Sequence, residues 1–286
     1  MPGKATEWHQ DLEQYRMKGL SEIFTTPKPV IAMVHLPPLP GTVGYTGYST
    51  QEIVDFALRD AETLVACGVD GLIVENMWDI PFTAHEHIEP EQMCSHAVAA
   101  AAVVKAVDLP VGINVVHNGG RITLSIAIAS GADFMRICML TGAGVWDGGE
   151  FDHGVARELL TARKLCGAEH IKIFADVDKK HSVRFPGIDL ATHMEWTEFY
   201  MADAMIISGR MTGEAPDLEK VRKAKELAKG RPIIMGSGTT AENIADFFQY
   251  ADGTIVGFNL KDSGHPTRPV NPDLVKAYME AAAKAR

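Results

Sequence analysis

The chain has 286 residues, of which 46% are hydrophobic and 22% are charged, values that are ordinary for one soluble globular domain. Its net charge of −10 argues against a nucleic-acid partner, because binding to phosphate backbones needs a basic surface. The polar N-terminus lacks the apolar segment of a secretion signal, and no apolar run approaches a membrane span. We therefore expect a cytoplasmic protein without membrane insertion, and homo-oligomers remain possible in this interpretation.

The four cysteines are widely spaced and form no C-x-x-C pair. They are Cys67, Cys94, Cys138 and Cys166. Three fall in predicted helices and one in a predicted strand, so we expect buried thiols in a reducing compartment.

A phrase in which an aspartate precedes an apolar run occurs four times in the chain. The copies lie at 68–74, 131–137, 202–207 and 251–256. Other apolar runs alternate with them, and three of these begin at or directly after a proline. They lie at 30–34, 111–116, 171–175 and 232–235. A two-strand unit repeated four times, with helical stretches between strands, predicts an α/β fold of the (β/α)8 TIM-barrel class.

In chain order, we predict an N-terminal helical extension at 1–27, with a helix at 7–24 that closes the barrel bottom, and a single barrel domain at 28–286. The predicted strands are 30–35, 71–75, 111–116, 133–138, 171–176, 204–208, 232–235 and 253–256. The predicted helices are 51–67, 90–107, one starting soon after 120, 152–166, 190–200, 217–229, 241–249 and 272–284. A doubly wound open sheet is the weaker alternative, since its glycine-rich fingerprint would follow the first strand rather than the seventh.

The carboxyl ends of barrel strands meet at one mouth, so polar residues that end different strands become neighbours there. Glu75 and Asp176 are predicted to face each other across the mouth. Their carboxylates suit general acid–base catalysis, or they are oxygen ligands of a divalent cation. His35, His117 and His181 are candidate proton carriers near neutral pH, and equally hydrogen-bonded rim residues.

Cationic residues follow the fourth and fifth predicted strands. Arg136 is suited to binding a substrate carboxylate or phosphate, or to an ion pair with Glu75. Lys179 and Lys180 lie in a loop, and we interpret them as a solvated pair, with one of them reaching the substrate as the alternative. Because no lysine ends a strand, a Schiff-base aldolase of the usual barrel kind is disfavoured.

Glycines and hydroxyl residues follow the seventh strand at 236–240 and recur after the eighth at 257–259. Exposed N–H groups there, with a helix dipole behind them, predict a site for phosphate or a similar anion. The alternative is that the glycines only make tight turns. The loop at 209–213 is expected to close over the same anion. The expected substrate-binding residues are Asn114, Arg136, Ser208, Thr212, Gly213, Gly236, Ser237, Gly238, Gly257 and Asn259.

Several stretches resemble the BtpA family, also called the BtpA/SgcQ family. They include His-Leu-Pro-Pro-Leu-Pro-Gly at 35–41, Asp-Gly-Leu-Ile-Val-Glu-Asn at 70–76 and Gly-Ser-Gly-Thr-Thr at 236–240. The resemblance covers nearly the whole chain after about residue 25. It implies a barrel of the ribulose-phosphate-binding type, but no agreed reaction or catalytic residue set. Cyanobacterial members of the family are associated with photosystem I accumulation, and other members accompany sugar-utilisation genes.

The sequence thus favours an enzyme that acts on a phosphorylated sugar or related phosphometabolite by acid–base chemistry, of isomerase, epimerase or lyase type. A glycosidic- or nucleoside-bond hydrolase is one alternative, with the two carboxylates as its catalytic pair. A sugar-phosphate sensor is another. A non-catalytic photosystem or membrane-complex biogenesis factor would need an exposed apolar or basic docking surface, and we expect none.

Overall fold

Eleven strands and eight α-helices occur in the computed structural model, which describes residues 13–83, 87–265 and 268–286. The strands are Val30–His35 (β1), Gly71–Glu75 (β2), Val111–Asn114 (β3), Phe134–Ile137 (β4), Ala143–Trp146 (β5), Phe151–His153 (β6), Lys172–Val177 (β7), Ser182–Arg184 (β8), Ala204–Ile207 (β9), Ile233–Met235 (β10) and Gly253–Val256 (β11). The helices are Thr50–Ala66 (α1), Pro90–Ala106 (α2), Gly120–Ser130 (α3), Ala156–Leu165 (α4), Leu190–Phe199 (α5), Leu218–Leu227 (α6), Ile244–Phe247 (α7) and Pro272–Ala285 (α8).

Eight parallel strands close into a barrel in the order β1-β2-β3-β4-β7-β9-β10-β11. Every residue of β1, β2 and β11 is buried, which explains why these strands are continuous apolar runs rather than alternating ones. The predicted (β/α)8 barrel is confirmed.

The aspartates of the repeated phrase connect neighbouring strands through hydrogen bonds at the bottom of the barrel. Each carboxylate accepts a hydrogen bond of 2.7 to 2.9 Å from the backbone N–H of a residue that begins the neighbouring strand. The pairs are Asp70 with Val30, Asp133 with Val111, Asp203 with Ile173 and Asp252 with Ile233. The backbone N–H of each aspartate returns a bond to the carbonyl of the same partner. The repeat therefore sets the strand register and lies far from the mouth.

The described part of the segment before β1 covers the bottom of the barrel, and from residue 14 to residue 24 it is not the predicted helix. Residues 7–12 of that prediction lie outside the described residues, and residues 13–24 contain one 3-10 turn, Leu20–Glu22. Phe24 is buried against the rings of Phe134 and Phe174, with centroids 5.9 and 6.5 Å away. The side chain of Asp203 binds the N–H of Met17 at 2.6 Å. The segment is thus held by aromatic packing and a buried carboxylate rather than by helical hydrogen bonds.

A small antiparallel sheet, in the order β6-β5-β8, forms from segments that were predicted as loops and as the start of a helix at 152–166. In β6 the usual burial pattern is reversed: Phe151 and His153 are exposed, whereas Asp152 between them is buried. Gly144 is required at the centre of the sheet, since an added Cβ would lie 2.6 Å from the carbonyl oxygen of Val183. Neither feature is typical of a strand, so the sequence pattern did not reveal this sheet.

The helix after β10 is shorter than predicted, Ile244–Phe247 instead of 241–249. The Asn243 side chain accepts the N–H of Thr240 at 2.8 Å and donates to the carbonyl of Gly238 at 3.1 Å. Residues 240–243 consequently form a turn. A four-residue helix contributes little dipole, so that part of the anion-site argument was wrong.

The burial of the cysteines and the absence of a membrane span were the remaining structural expectations. Cys138 is buried as expected, but Cys94 and Cys166 are exposed, so uniform burial of the thiols was wrong. Among the residues that the structure describes, no helix is both long and apolar enough to cross a membrane.

Candidate active site

Two joined cavities occupy the carboxyl-terminal mouth of the barrel. The smaller, about 30 Å³, is bounded by the loops after β10 and β11, and the larger, about 430 Å³, is lined by Trp146 and Phe82 among others. Glu75, Arg136 and Lys180 line both cavities, and we call these three residues the charged waist. The site is therefore elongated, with its ionisable groups between two ends of different character.

The smaller cavity ends in a cradle of hydrogen-bond donors. Among the described residues, no acceptor pairs with the backbone N–H groups of Ser237, Gly238 or Gly257. The Ser237 hydroxyl is buried and also lacks a partner. Gly238 has a φ of +78°, and an added Cβ would lie 2.2 Å from the nitrogen of Ala215, so only glycine fits there. Unpaired donors in such a nest suit an anion. We call this region the anion end.

Buried hydroxyl and amide groups hold the anion end in shape. The Asn259 side chain donates to the carbonyl of Thr239 at 2.8 Å, which joins the loop after β11 to the loop after β10. The Thr239 hydroxyl in turn bonds to Thr254 at 2.9 Å and to Tyr278 at 2.7 Å. The predicted Asn259 thus lies at the site and also supports it.

Arg136 and Asp176 form a buried bidentate ion pair. Nε and Nη2 of Arg136 donate to the two carboxylate oxygens of Asp176 at 2.8 and 2.9 Å. Burial opposes the charge on Arg136, but the Asp176 carboxylate outweighs it and raises the pKa of the guanidinium. The expected alternative partner, Glu75, is not the one that Arg136 binds. With both oxygens occupied, Asp176 is a structural anion rather than a free proton acceptor.

Glu75 and His35 form the acid–base pair of the mouth. Nε2 of His35 lies 3.7 Å from Oε1 of Glu75, and both side chains are buried. Burial raises the pKa of Glu75 and outweighs the charges of Arg136 and Lys180, which lower it. Burial, with the charges of Lys261, Lys180 and Arg136, lowers the pKa of His35 well below its usual value. The pair therefore places a proton acceptor, the neutral imidazole of His35, beside a carboxyl group that holds its proton more strongly than an exposed one.

His117 is locked in a different cluster. Lys179 donates to Asp152 at 2.8 Å and contacts Nε2 of His117, while the ring of Trp146 stacks on His117 at 4.2 Å between centroids. Burial and the Lys179 charge lower the pKa of His117 to about 4. His117 lines the larger cavity, but Lys179 contacts its Nε2 and Trp146 covers its ring, so the geometry does not favour it as a proton carrier. Lys179 is 7% exposed, so its interpretation as a solvated residue was wrong.

An NMR titration of the folded protein should therefore show His117 titrating near pH 4, against about 6.5 for histidine in the urea-unfolded chain. Because the folded pKa is the lower one, the unfolded state binds more protons between these values. This contribution to stability is complete above about pH 6.5 and is lost as the pH falls towards 4, by about 3 kcal/mol in total. A folded-state pKa at or above 6 would contradict the locked cluster.

His181 and Thr212 connect the loops above the mouth. His181 bonds through Nδ1 to Asp147 at 2.7 Å and through Nε2 to the Thr212 hydroxyl at 2.9 Å. Thr212 and Gly213 line the smaller cavity as expected. Ser208 is fully buried outside both cavity linings, and its hydroxyl lies 3.4 Å from Asp176. It therefore supports Asp176 instead of reaching the cavity.

Two further side chains of the larger cavity are informative. Asn114 donates to the carbonyl of Arg136 at 3.0 Å, and its buried Oδ1 has no partner, which leaves an acceptor for a ligand hydroxyl or amide. The thiol of Cys138 lies 3.6 Å from the Asn114 amide, and burial raises its pKa, so it stays protonated.

Lys180 is the functional candidate that sequence reasoning placed wrongly. It is only half-exposed and lines both cavities instead of being solvated. Asp178, with a φ of +60°, turns the chain back towards the mouth and is held by Arg184 at 2.7 Å and Lys220 at 2.6 Å. The charged run 178–181 directly after a strand was the available signal.

A divalent-cation site is not evident at the two predicted ligands. Across 13–83, 87–265 and 268–286 there is no cluster of three or more His, Cys, Asp or Glu side chains that could hold a metal ion. Asp176 uses both oxygens for Arg136, and the side chain that lies within 4 Å of the Glu75 carboxylate as an ion-pair partner, among the described residues, is His35. The residues present do not fit a cation held by Glu75 and Asp176.

The chain is similar to known proteins in sequence and in fold. The model of the BtpA family matches residues 26–284. The chain belongs to the BtpA family. It is 40% identical over 259 residues to an uncharacterised protein of Thermococcus kodakarensis, covering 91% of this chain and 97% of that protein. It is 38% identical over 266 residues to the photosystem I biogenesis protein BtpA of Synechocystis, covering 93% and 91%.

Solved structures of distant sequence share the fold. Tryptophan synthase subunit alpha from Legionella pneumophila matches with a TM-score of 0.57 at 16% identity, covering 96% of this chain and 97% of that chain. N-(5'-phosphoribosyl)anthranilate isomerase from Pyrococcus furiosus matches with a TM-score of 0.54 at 14% identity, covering 90% and 99%. At such low identity these similarities establish the barrel fold only.

Proposed function

We propose that this protein is an enzyme that binds a phosphorylated sugar or related phosphometabolite and transfers protons on it, as an isomerase, epimerase or lyase does. One observation carries the proposal: a cradle of unpaired donors opens directly onto a buried Glu75–His35 pair. An anion held at one end fixes the rest of a substrate beside the acid–base group, which is how positioning lowers a reaction barrier.

The chemistry follows from the state of each group. The N–H groups of the anion end bind the phosphate, and the protonated Glu75 donates to a substrate oxygen or, once ionised, removes a proton from carbon. His35 accepts or returns the proton across the 3.7 Å gap. Nη1 of Arg136 has no partner among the described residues, so it is available to a substrate oxygen while Asp176 holds the guanidinium in place.

The hydrolase alternative is less well supported. A two-carboxylate mechanism needs a second free carboxylate opposite the first. Asp176, the candidate for this role, binds Arg136 through both oxygens. A sugar-phosphate sensor would use the same anion end but has no use for a buried acid–base pair.

A second candidate function, assembly of a membrane complex, is favoured by one surface. The name of the Synechocystis relative refers to photosystem I biogenesis. Phe151, Val145 and Val183 are cross-strand neighbours on the small sheet and are 58%, 45% and 76% exposed. These three exposed apolar side chains, which the sequence analysis did not anticipate, are the surface that such a role would use. An assembly role would be affected by changes on this sheet, whereas an enzyme would be affected by changes at the mouth.

Inorganic phosphate should raise the Tm of the protein relative to chloride at equal ionic strength. Replacing Ser237 with alanine should weaken phosphate binding about tenfold or more, because a hydrogen bond to a charged group is worth roughly 1.5–3 kcal/mol. The phosphate-free variant should be no less stable, since the deleted hydroxyl has no partner. Ser125→Ala, on the exposed face of α3, is the matched control. Absence of any phosphate-dependent shift in the wild type would remove the basis of the proposed function.

A further inference from the structure

The amino group of Lys180 differs from the other mouth lysines in having no partner. Lys179, Lys220 and Lys261 each bind a carboxylate, at 2.8, 2.6 and 3.1 Å. For Lys180, the described part of the chain offers neither a hydrogen bond nor an ion pair. Its side chain nevertheless lines both cavities at the charged waist. An amine that is kept in a site without a counter-ion calls for a chemical reason, because an unpaired charge there is costly.

The surroundings of Lys180 favour its neutral, nucleophilic form. Burial and the Arg136 guanidinium lower the pKa of Lys180, and the Glu75 and Asp176 carboxylates only partly oppose this. Desolvation beside a second cation is an established way to activate a lysine amine. Burial simultaneously raises the pKa of Glu75. Both shifts therefore favour the neutral forms, the free amine of Lys180 and the protonated carboxyl of Glu75.

The position of Lys180 between the two cavities is the second observation. A substrate whose phosphate occupies the anion end extends past the waist before it reaches the larger cavity. A carbonyl group a few bonds from the phosphate would then lie beside the amine. The sequence argument against imine chemistry considered only strand-end lysines, and it did not anticipate a loop folded back by Asp178.

We propose that Lys180 is the nucleophile that forms an imine with a carbonyl-bearing phosphorylated substrate held at the anion end. This proposal rests on the proposed function and specifies its substrate class, a ketose phosphate or another phosphorylated ketone.

The step balances with the groups present. The lone pair of the Lys180 amine attacks the carbonyl carbon, a C–N bond forms, and the carbonyl oxygen takes up a proton from Glu75. The same oxygen then receives a second proton, which comes from the attacking amine and passes through His35. Water can now leave as the nitrogen lone pair forms the C=N bond. The iminium ion then withdraws electrons from the neighbouring carbon, and ionised Glu75 removes a proton from it. Glu75 returns a proton to carbon in the resulting enamine, and attack of water on the restored iminium ion regenerates the carbonyl and the free amine.

Reductive trapping tests this directly. The wild-type protein is incubated with dihydroxyacetone phosphate or ribulose 5-phosphate, reduced with borohydride, digested and examined by mass spectrometry. We expect the peptide that contains Lys180 to gain the mass of the probe minus one oxygen atom. The unphosphorylated ketoses should give at least tenfold less adduct, because they lack the anchor. Lys180→Arg and Lys180→Met should abolish the adduct, and Lys223→Arg, on an exposed face of α6, should leave it unchanged.

A phosphate-dependent Tm shift is measured on the same samples to separate the two proposals. If phosphate binds but Lys180 carries no adduct with either ketose phosphate, the imine inference is wrong and the anion site stands. If the adduct is spread over surface lysines or persists in Lys180→Met, the inference is also wrong. If phosphate does not bind at all, the proposed function fails first. A Lys180 adduct that depends on the probe phosphate, with a normal phosphate shift in Lys180→Arg, supports both.

Discussion

Replacing Arg136 with methionine should lower the free energy of unfolding by about 3–5 kcal/mol, which is the usual cost of leaving one member of a buried ion pair alone. Asp176 is 1% exposed, so its carboxylate cannot recover water once Arg136 is gone. Asp176→Asn should be destabilising for the converse reason. The measurement is urea unfolding at neutral pH, followed by circular dichroism, with the urea dependence checked for a constant slope.

The double replacement Arg136→Met with Asp176→Leu distinguishes a pair from two independent residues. Since apolar residues of similar size often replace a buried pair with little loss, the double variant should be more stable than Arg136→Met alone. The exposed Arg222–Glu219 pair, at 2.8 Å, is the matched control, and Arg222→Met should cost less than about 1 kcal/mol. A loss below 1 kcal/mol for Arg136→Met, or strict additivity in the double variant, would contradict the assigned role.

This expectation also changes how the two mouth carboxylates are viewed. From strand ends alone, Glu75 and Asp176 are equivalent, and an amide at either position would be expected to remove function and leave the fold intact. The structure separates them, because Asp176 neutralises a buried guanidinium while Glu75 has no cation bound to it. Of these two carboxylates, Glu75 is therefore the one whose replacement is expected to leave stability intact.

The fold was predictable from sequence because a single repeated residue determines its register. In all four units an aspartate that caps the start of the neighbouring strand precedes an apolar run. These runs are long enough to be recognised as strands in the sequence. Barrel geometry then brings the strand ends to one mouth. That step placed Glu75, His35 and Gly236 around one cavity without any knowledge of their contacts.

Pairing between side chains was not predictable in the same way. Whether Arg136 binds Glu75 or Asp176 depends on side-chain conformations and on distances across the barrel. The positions of the strands in the sequence specify neither of these. The loop that brings in Lys180 depends on a left-handed backbone at Asp178 and on two ion pairs from different elements. The small sheet has its apolar residues on the solvent side, so its periodicity indicates burial where there is exposure. Each miss is a tertiary contact that overrides a local pattern.

Replacing Glu75 tests its proposed role in proton transfer, because the change is not expected to destabilise the fold. Glu75→Gln should reduce hydrogen–deuterium exchange from D₂O into the carbon beside the carbonyl of a bound ketose phosphate, followed by NMR, by a factor of about 10²–10⁴. An amide of the same shape cannot donate or remove that proton.

Because burial raises the pKa of Glu75, the folded state disfavours its ionised form, and this penalty grows as the pH rises through that pKa. The variant should consequently be as stable as the wild type at acidic pH and more stable at pH 8. Glu62→Gln, exposed on α1, should change neither property. Exchange within threefold of the wild-type rate, or a clear loss of stability at pH 8, would show that Glu75 holds the fold rather than moving a proton.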